Sequence, residues 1–234
     1  MELSEQNADR EELGGMTLAS AMIHYTISNL LLNELKVQNV APFLLGAALG
    51  PDASSHEDGT YDTAHFGEKS EDKMRKGINW KKFTDKYEKQ IFANDFVLGY
   101  YCHLLQDAIW FHEMADKYVR CYQGEEKKLA YQRGYRDYNR LNYLLIKEFH
   151  LQRTDFAEIE IPIDEISAEK LLVGENNFKQ WFDAIPCDKE DLDIYTWDVI
   201  EQYIKKCVRF CISEVNALKN GEKGRDPENL FAKA

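Results

Sequence analysis

The segment GYYCHLLQDAIWFHEM, residues 99–114, places His103 and Asp107 four positions apart. On a helix, groups at that spacing project from one face, so an imidazole and a carboxylate can reach a single metal ion without bending the backbone. The same spacing also suits a plain hydrogen-bonded pair. The neighbours help to separate these readings: Leu104, Leu105, Ala108, Ile109, Trp110 and Phe111 leave little of the helix polar. An ionised aspartate buried there is costly unless a cation or several hydrogen bonds compensate it. A divalent metal does so directly. Gly99, one turn earlier on that face, leaves room for close approach.

Two further regions offer ligands. His24 stands in AMIHYTISNLLL among Met22, Ile23, Tyr25 and Ile27, where a polar ring needs a partner. A satisfied core histidine is the alternative there. Asp52 follows Gly50–Pro51, and His65 comes thirteen residues later within DASSHEDGTYDTAHFGEKSED, residues 52–72. That stretch has no apolar period and reads as a long loop. Such loops are uncommon inside compact domains and are often functional. His56, Asp58 and Asp62 lie between the two and read as solvated or supporting groups. His112 is a further candidate metal ligand, with a capping or core role as its alternative. Asp137, in GYRDYNRLNYLL, reads as a surface ion pair or as a group directed at the site.

The elements that must position these residues are helical. Periodicity begins with Thr17 as an N-cap and continues through Leu18, Met22, Ile23, Ile27, Leu30, Leu31 and Leu35. The apolar run Phe43 to Leu49 ends at a Gly50–Pro51 turn. Further helices are predicted at Trp80–Lys89, at about Asn94–Tyr122, at Glu125–Phe149, at Ala168–Ala184 and at Thr196–Asn220. The stretch Phe156–Ile163 reads as a short strand or an extended connection. We expect a flexible acidic lead over residues 1–15, one helical metal-binding domain over 16–222, and a polar tail over 223–234.

Composition narrows the function. There are 41 acidic residues against 29 basic ones, a net charge of -12. Such a surface repels nucleic-acid backbones and anionic membranes, so neither is an expected partner. No stretch approaches the eighteen or more apolar residues of a membrane span, and no secretory signal is visible at the start. The five cysteines form no C-x-x-C pair and read as reduced thiols, which makes the cytoplasm the expected compartment. The oligomeric state is not legible.

Taken in order, AMIHYTISNLLL, FLLGAALGPDASS, TAHF and FVLGYYCHLLQDAIWFH resemble the bacterial zinc-dependent phospholipase C family. The fungal single-strand nucleases are more distantly similar. The resemblance implies an all-α, multi-helix bundle of that type with a long ligand-bearing loop. It implies that Asp52, His65, His103 and Asp107 surround one zinc, and that Asp107 bridges to a second bound by His24. A bridging carboxylate suits two cations about 3.5–4 Å apart. Asp52 and Asp107 are then the catalytic residues, Asp52 orienting the metal-activated water or taking its proton. Mixed imidazole and carboxylate donors suit zinc or iron, with manganese a further alternative. Secreted members use the processed N-terminal residue as a metal ligand, and members with three zincs also have a later pair of histidines and a glutamate. After Asp107 this chain offers only His112, Glu113 and His150, whose spacing does not reproduce that set, so one or two ions are expected. The expected function is a metal-dependent phosphoesterase acting on a small phosphorylated substrate. A metal-binding protein of the same fold without turnover, serving as a sensor or binding module, is one alternative, and a purely structural helical protein is another. An HD-type phosphohydrolase ranks below these, because no adjacent His–Asp dipeptide occurs.

Overall fold

The computed structural model describes residues 19–56, 58–156 and 159–233, so the expected acidic lead and the Thr17 N-cap lie outside the described residues. The fold is all-α with one small sheet. Its helices are α1 (Ala21–Glu34), α2 (Val40–Leu49), the single turn α3 (Tyr61–Ala64), α4 (Trp80–Ile91), α5 (Asp95–Ile109), α6 (Gly124–Phe149), α7 (Ala168–Trp181) and α8 (Trp197–Lys219). Short polar side chains start several of them. The Ser20 hydroxyl accepts from the Ile23 amide at the head of α1. Asn94 accepts from Phe96 and Val97 at the head of α5. Each satisfies donors that the first turn leaves without intrahelical partners.

Helix α5 is buried at every position from Phe96 to Ile109. A helix covered on all sides belongs at the centre of its domain. It packs most extensively on α2, and also on α4 and α8, while α1 lies against α2, α6 and α8. The α2–α5 crossing depends on two glycines. A Cβ on Gly99 would strike the Phe43 carbonyl oxygen and the Ala47 amide, and one on Gly46 would strike the Phe96 carbonyl oxygen. The close approach anticipated at Gly99 is therefore made by the backbone of α2.

Four segments differ from the sequence reading. The helix expected over Asn94–Tyr122 is α-helical only to Ile109, and Trp110–Arg120 continue it as a wider π-helix. The apolar run 43–49 is part of α2. The expected loop 52–72 carries a 3-10 turn at Pro51–Ala53, the α3 turn, and strand β1 (Gly67–Lys69). The polar tail folds back: Pro227–Leu230 form a 3-10 turn, Phe231 is buried, and β3 (Ala232–Lys233) pairs with β2 (Arg75–Ile78). The three strands are antiparallel in the order β1-β2-β3, with Gly67 opposite Ile78 and Arg75 opposite Lys233. Within Phe156–Ile163 the described residues are extended connection and form no strand. All five cysteines are free thiols, and no described helix is long and apolar enough to cross a membrane.

Candidate metal centre

Four elements converge at one buried point. Helix α5 supplies His103 and Asp107, α1 supplies His24, the 3-10 turn after α2 supplies Asp52, and the residue closing α3 is His65. Potential ligand atoms of Asp52, His65, His103 and Asp107 all lie within 4.8 Å of one another. The two Asp107 oxygens face different histidines. Oδ2 is 3.0 Å from His103 Nε2 and 3.5 Å from His65 Nε2, whereas Oδ1 is 3.2 Å from His24 Nε2. Asp52 Oδ1 is 3.4 Å from His65 Nε2 and 3.8 Å from His103 Nε2. The rings of His24 and His103 stack at 3.9 Å.

The outer nitrogens of the three rings fix which inner nitrogens are bare. His103 Nδ1 lies 2.9 Å from the Ala47 carbonyl oxygen and His65 Nδ1 lies 3.0 Å from the Tyr61 carbonyl oxygen. A carbonyl only accepts, so each ring donates through Nδ1 and points its Nε2 lone pair inward. His24 Nδ1 meets Gln106 Oε1 at 2.9 Å in the same sense. The inner atoms are close yet unaligned. Nε2 of all three histidines and both oxygens of Asp107 are buried without a hydrogen-bond partner among the described residues. Three lone pairs aimed at a buried carboxylate repel unless positive charge sits among them. The donor set therefore fits a cation, and mixed imidazole and carboxylate donors suit zinc.

The electrostatics agree for Asp107. Burial favours its neutral form, but the charges of His103 and His24 outweigh burial and hold the carboxyl well below the usual carboxylate range. It stays an anionic ligand. Burial, and then the charge of His24, push His103 below its ordinary value. Burial also pulls His24 down, but the Asp107 carboxylate more than reverses it and leaves His24 raised. The two rings face one carboxylate and move in opposite directions: the charge of His24 opposes charge on His103, whereas the Asp107 carboxylate favours charge on His24.

Access is one-sided. His24, His65, His103 and Asp107 are buried, while the Asp52 side chain keeps 24% of its exposure. A cleft of about 680 Å³ lies elsewhere, between the π-helical segment and α8, lined by Lys117, Lys205, Lys206 and Arg209 among others. It contains none of the converging ligands. The convergence of donor atoms, rather than that cleft, locates the chemistry.

The structure brings five of the six candidate ligands together. The sixth, His112, is exposed on the π-helical segment and lies outside the cluster. Asp137 is buried and neither points to the site nor makes only a surface ion pair. Its carboxylate accepts the amides of Asp193, Ile194 and Tyr195 and pairs with Arg140. Asp58 hydrogen-bonds Thr60 and pairs with Lys170. His56 is exposed, with its ring 3.7 Å from that of Tyr61. His150 is exposed at the end of α6 in a left-handed conformation. Sequence reading missed the groups that orient the rings: Gln106, the Ala47 carbonyl and Tyr61. Tyr61 could have been found four positions before His65, and Gln106 three after His103 on the same helix. The Ala47 carbonyl left no signal.

Comparison with known proteins adds one finding. The family model described as zinc dependent phospholipase C matches residues 23–207. No curated protein and no solved structure matches the chain.

Proposed function

Since the chain belongs to the zinc-dependent phospholipase C family, and is a metal-dependent hydrolase with zinc as its cofactor, we propose that its substrates are small phosphate esters. The observation that carries this reading is the pair of Asp107 oxygens facing separate histidines. His65, His103, Asp52 and one Asp107 oxygen would hold one ion, and His24 with the other oxygen would contribute to a second. When bound, zinc supplies charge to neutralise phosphoryl oxygens and makes water a competent nucleophile near neutral pH. The protein's own part is orientation and proton handling. The Ala47 and Tyr61 carbonyls and Gln106 keep the protons on the outer ring nitrogens, so the inner ones stay available. Asp52, the partly exposed member, is placed to orient an attacking water and to take its proton.

The test is zinc content together with turnover of a chromogenic phosphodiester. In Asp107→Asn we expect loss of bound zinc and a fall in turnover of more than ~100-fold with the fold retained, since even partners one step removed from a metal contribute roughly 10–100-fold. A wild-type chain that holds zinc but is inert across a broad phosphoester panel would instead be a binding protein of the same fold.

A further inference from the structure

The two ligands outside the long helices are held differently from the other three. His24, His103 and Asp107 stand on helices whose burial fixes them. Asp52 sits in a three-residue 3-10 turn, and His65 closes a helix of one turn. A single turn has no stability of its own, because it gains too few hydrogen bonds for the backbone it fixes. Contacts outside the turn must therefore hold His65 in place.

Ser55, Asp58, Thr60 and helix α7 supply them. The Ser55 carbonyl oxygen accepts the amides of Thr60 and Tyr61, both at 3.1 Å, and the Ser55 amide donates to the Thr60 hydroxyl oxygen at 3.2 Å. Asp58 Oδ1 accepts the Thr60 amide at 3.1 Å and the Thr60 hydroxyl at 2.6 Å. The other Asp58 oxygen pairs with the Lys170 ammonium, which also donates to the Thr60 hydroxyl oxygen at 3.3 Å. Thr60 opens the turn, and the Tyr61 carbonyl inside it holds His65 Nδ1 at 3.0 Å. A continuous path thus runs from the Lys170 ammonium through Asp58, Thr60 and Tyr61 to the His65 ring.

Lys170 itself stands on an anchored helix. Helix α7 packs on the Pro51–Ala53 turn that carries Asp52, and on α1. Leu171, next to Lys170, is buried, and Phe178 sets its ring edge-on to Tyr25 at 4.9 Å, one residue from His24. Helix α7 in this way braces the two loop ligands against the helix that carries His24. The pair itself is open to solvent, with Lys170 37% and Asp58 42% exposed, so it adds little to global stability. Position is another matter, since ligands must be held to within about 0.5 Å of their working geometry.

We infer that Lys170, acting through Asp58 and Thr60, is a positioning residue that holds His65 in the metal centre. The inference rests on zinc binding at this centre and not on the identity of the substrate.

The experiment measures zinc affinity by chelator competition for the full chain as wild type, Lys170→Met, Lys170→Arg, Asp58→Asn and the Lys170→Met/Asp58→Asn double variant. Tm of the zinc-free protein and the visible spectrum of the cobalt-loaded protein are recorded for each. Lys170→Met should weaken zinc binding about tenfold, the lower end of the range for groups that orient metal ligands. Its zinc-free Tm should stay within roughly 3 °C of wild type, as loss of an exposed pair allows. Its cobalt spectrum should change, because the His65 donor moves relative to the ion. Lys170→Arg should restore both affinity and spectrum. The double variant should lose no more than the weaker-binding single variant, since the two residues act as one unit. Raising salt to about 1 M should narrow the gap between wild type and Lys170→Met, because an exposed pair is screened. Wild-type zinc affinity and cobalt spectrum in both Lys170→Met and Asp58→Asn would overturn the positioning role while leaving the metal centre intact, whatever happens to Tm. A wild-type chain that binds neither zinc nor cobalt would overturn the metal centre, and the positioning role with it. If Asp58→Asn fails to fold, Lys170→Met and its rescue by Lys170→Arg decide the matter.

Discussion

At the level of single residues, the centre is governed by which ring nitrogen carries the proton. Gln106 meets His24 Nδ1 at 2.9 Å and leaves Nε2 facing Asp107 Oδ1. Gln106→Leu should therefore weaken the His24-containing ion roughly 10–100-fold and spare the other. Competition with a zinc chelator, read as two separate affinities, checks this, and equal affinities in variant and wild type would make Gln106 a packing residue only. His103 and Asp107 were legible in the sequence because i, i+4 spacing is a property of one helix. His24, Asp52 and His65 were legible as polar groups among apolar or turn-forming neighbours, and the family resemblance joined them. Gln106 and the Ala47 carbonyl act through contacts with another helix, which no local pattern encodes.

At the level of elements, the α2–α5 crossing sets the site. Because Gly46 and Gly99 let the two backbones touch, Ala47 reaches His103, 56 residues away in sequence. Gly99→Ala should push the helices apart, costing about 1–3 kcal/mol as overpacking does. It should also lower zinc affinity, because the His103 ring loses its anchor. Denaturant unfolding with parallel zinc titration measures both, and a variant with unchanged stability would show that the crossing relaxes freely. The helices themselves were legible from apolar period, and the structure adds that Asn94 and Thr196 cap two of them. The π-helical change after Ile109 was not, since the side-chain pattern runs on through Trp110 and Phe111. The single turn Tyr61–Ala64 and the strands Gly67–Lys69 and Arg75–Ile78 are too short and too charged to show a period.

At the level of the whole molecule, the buried carboxylate and three imidazoles make folding and metal binding one equilibrium. With free zinc 1,000-fold above Kd, binding stabilises by about 4 kcal/mol, and for a chain of this size that is a shift of roughly 10 °C in Tm. Chelation should remove the shift and re-addition of zinc should restore it, followed by thermal unfolding. The all-α class was legible here because periodic segments dominate the chain. The returning tail was not, because Phe231 and β3 find their partners on β2, far upstream.

The claim on which the rest depends is that a cation occupies the space among five inward-facing side chains. Anomalous scattering at the zinc absorption edge, from crystals of the untreated protein, tests it most directly. The account predicts a peak enclosed by His65, His103, Asp52 and Asp107, with His24 on the far side of Asp107. A map with no peak there, or with zinc only at the Lys117–Arg209 cleft, would contradict it.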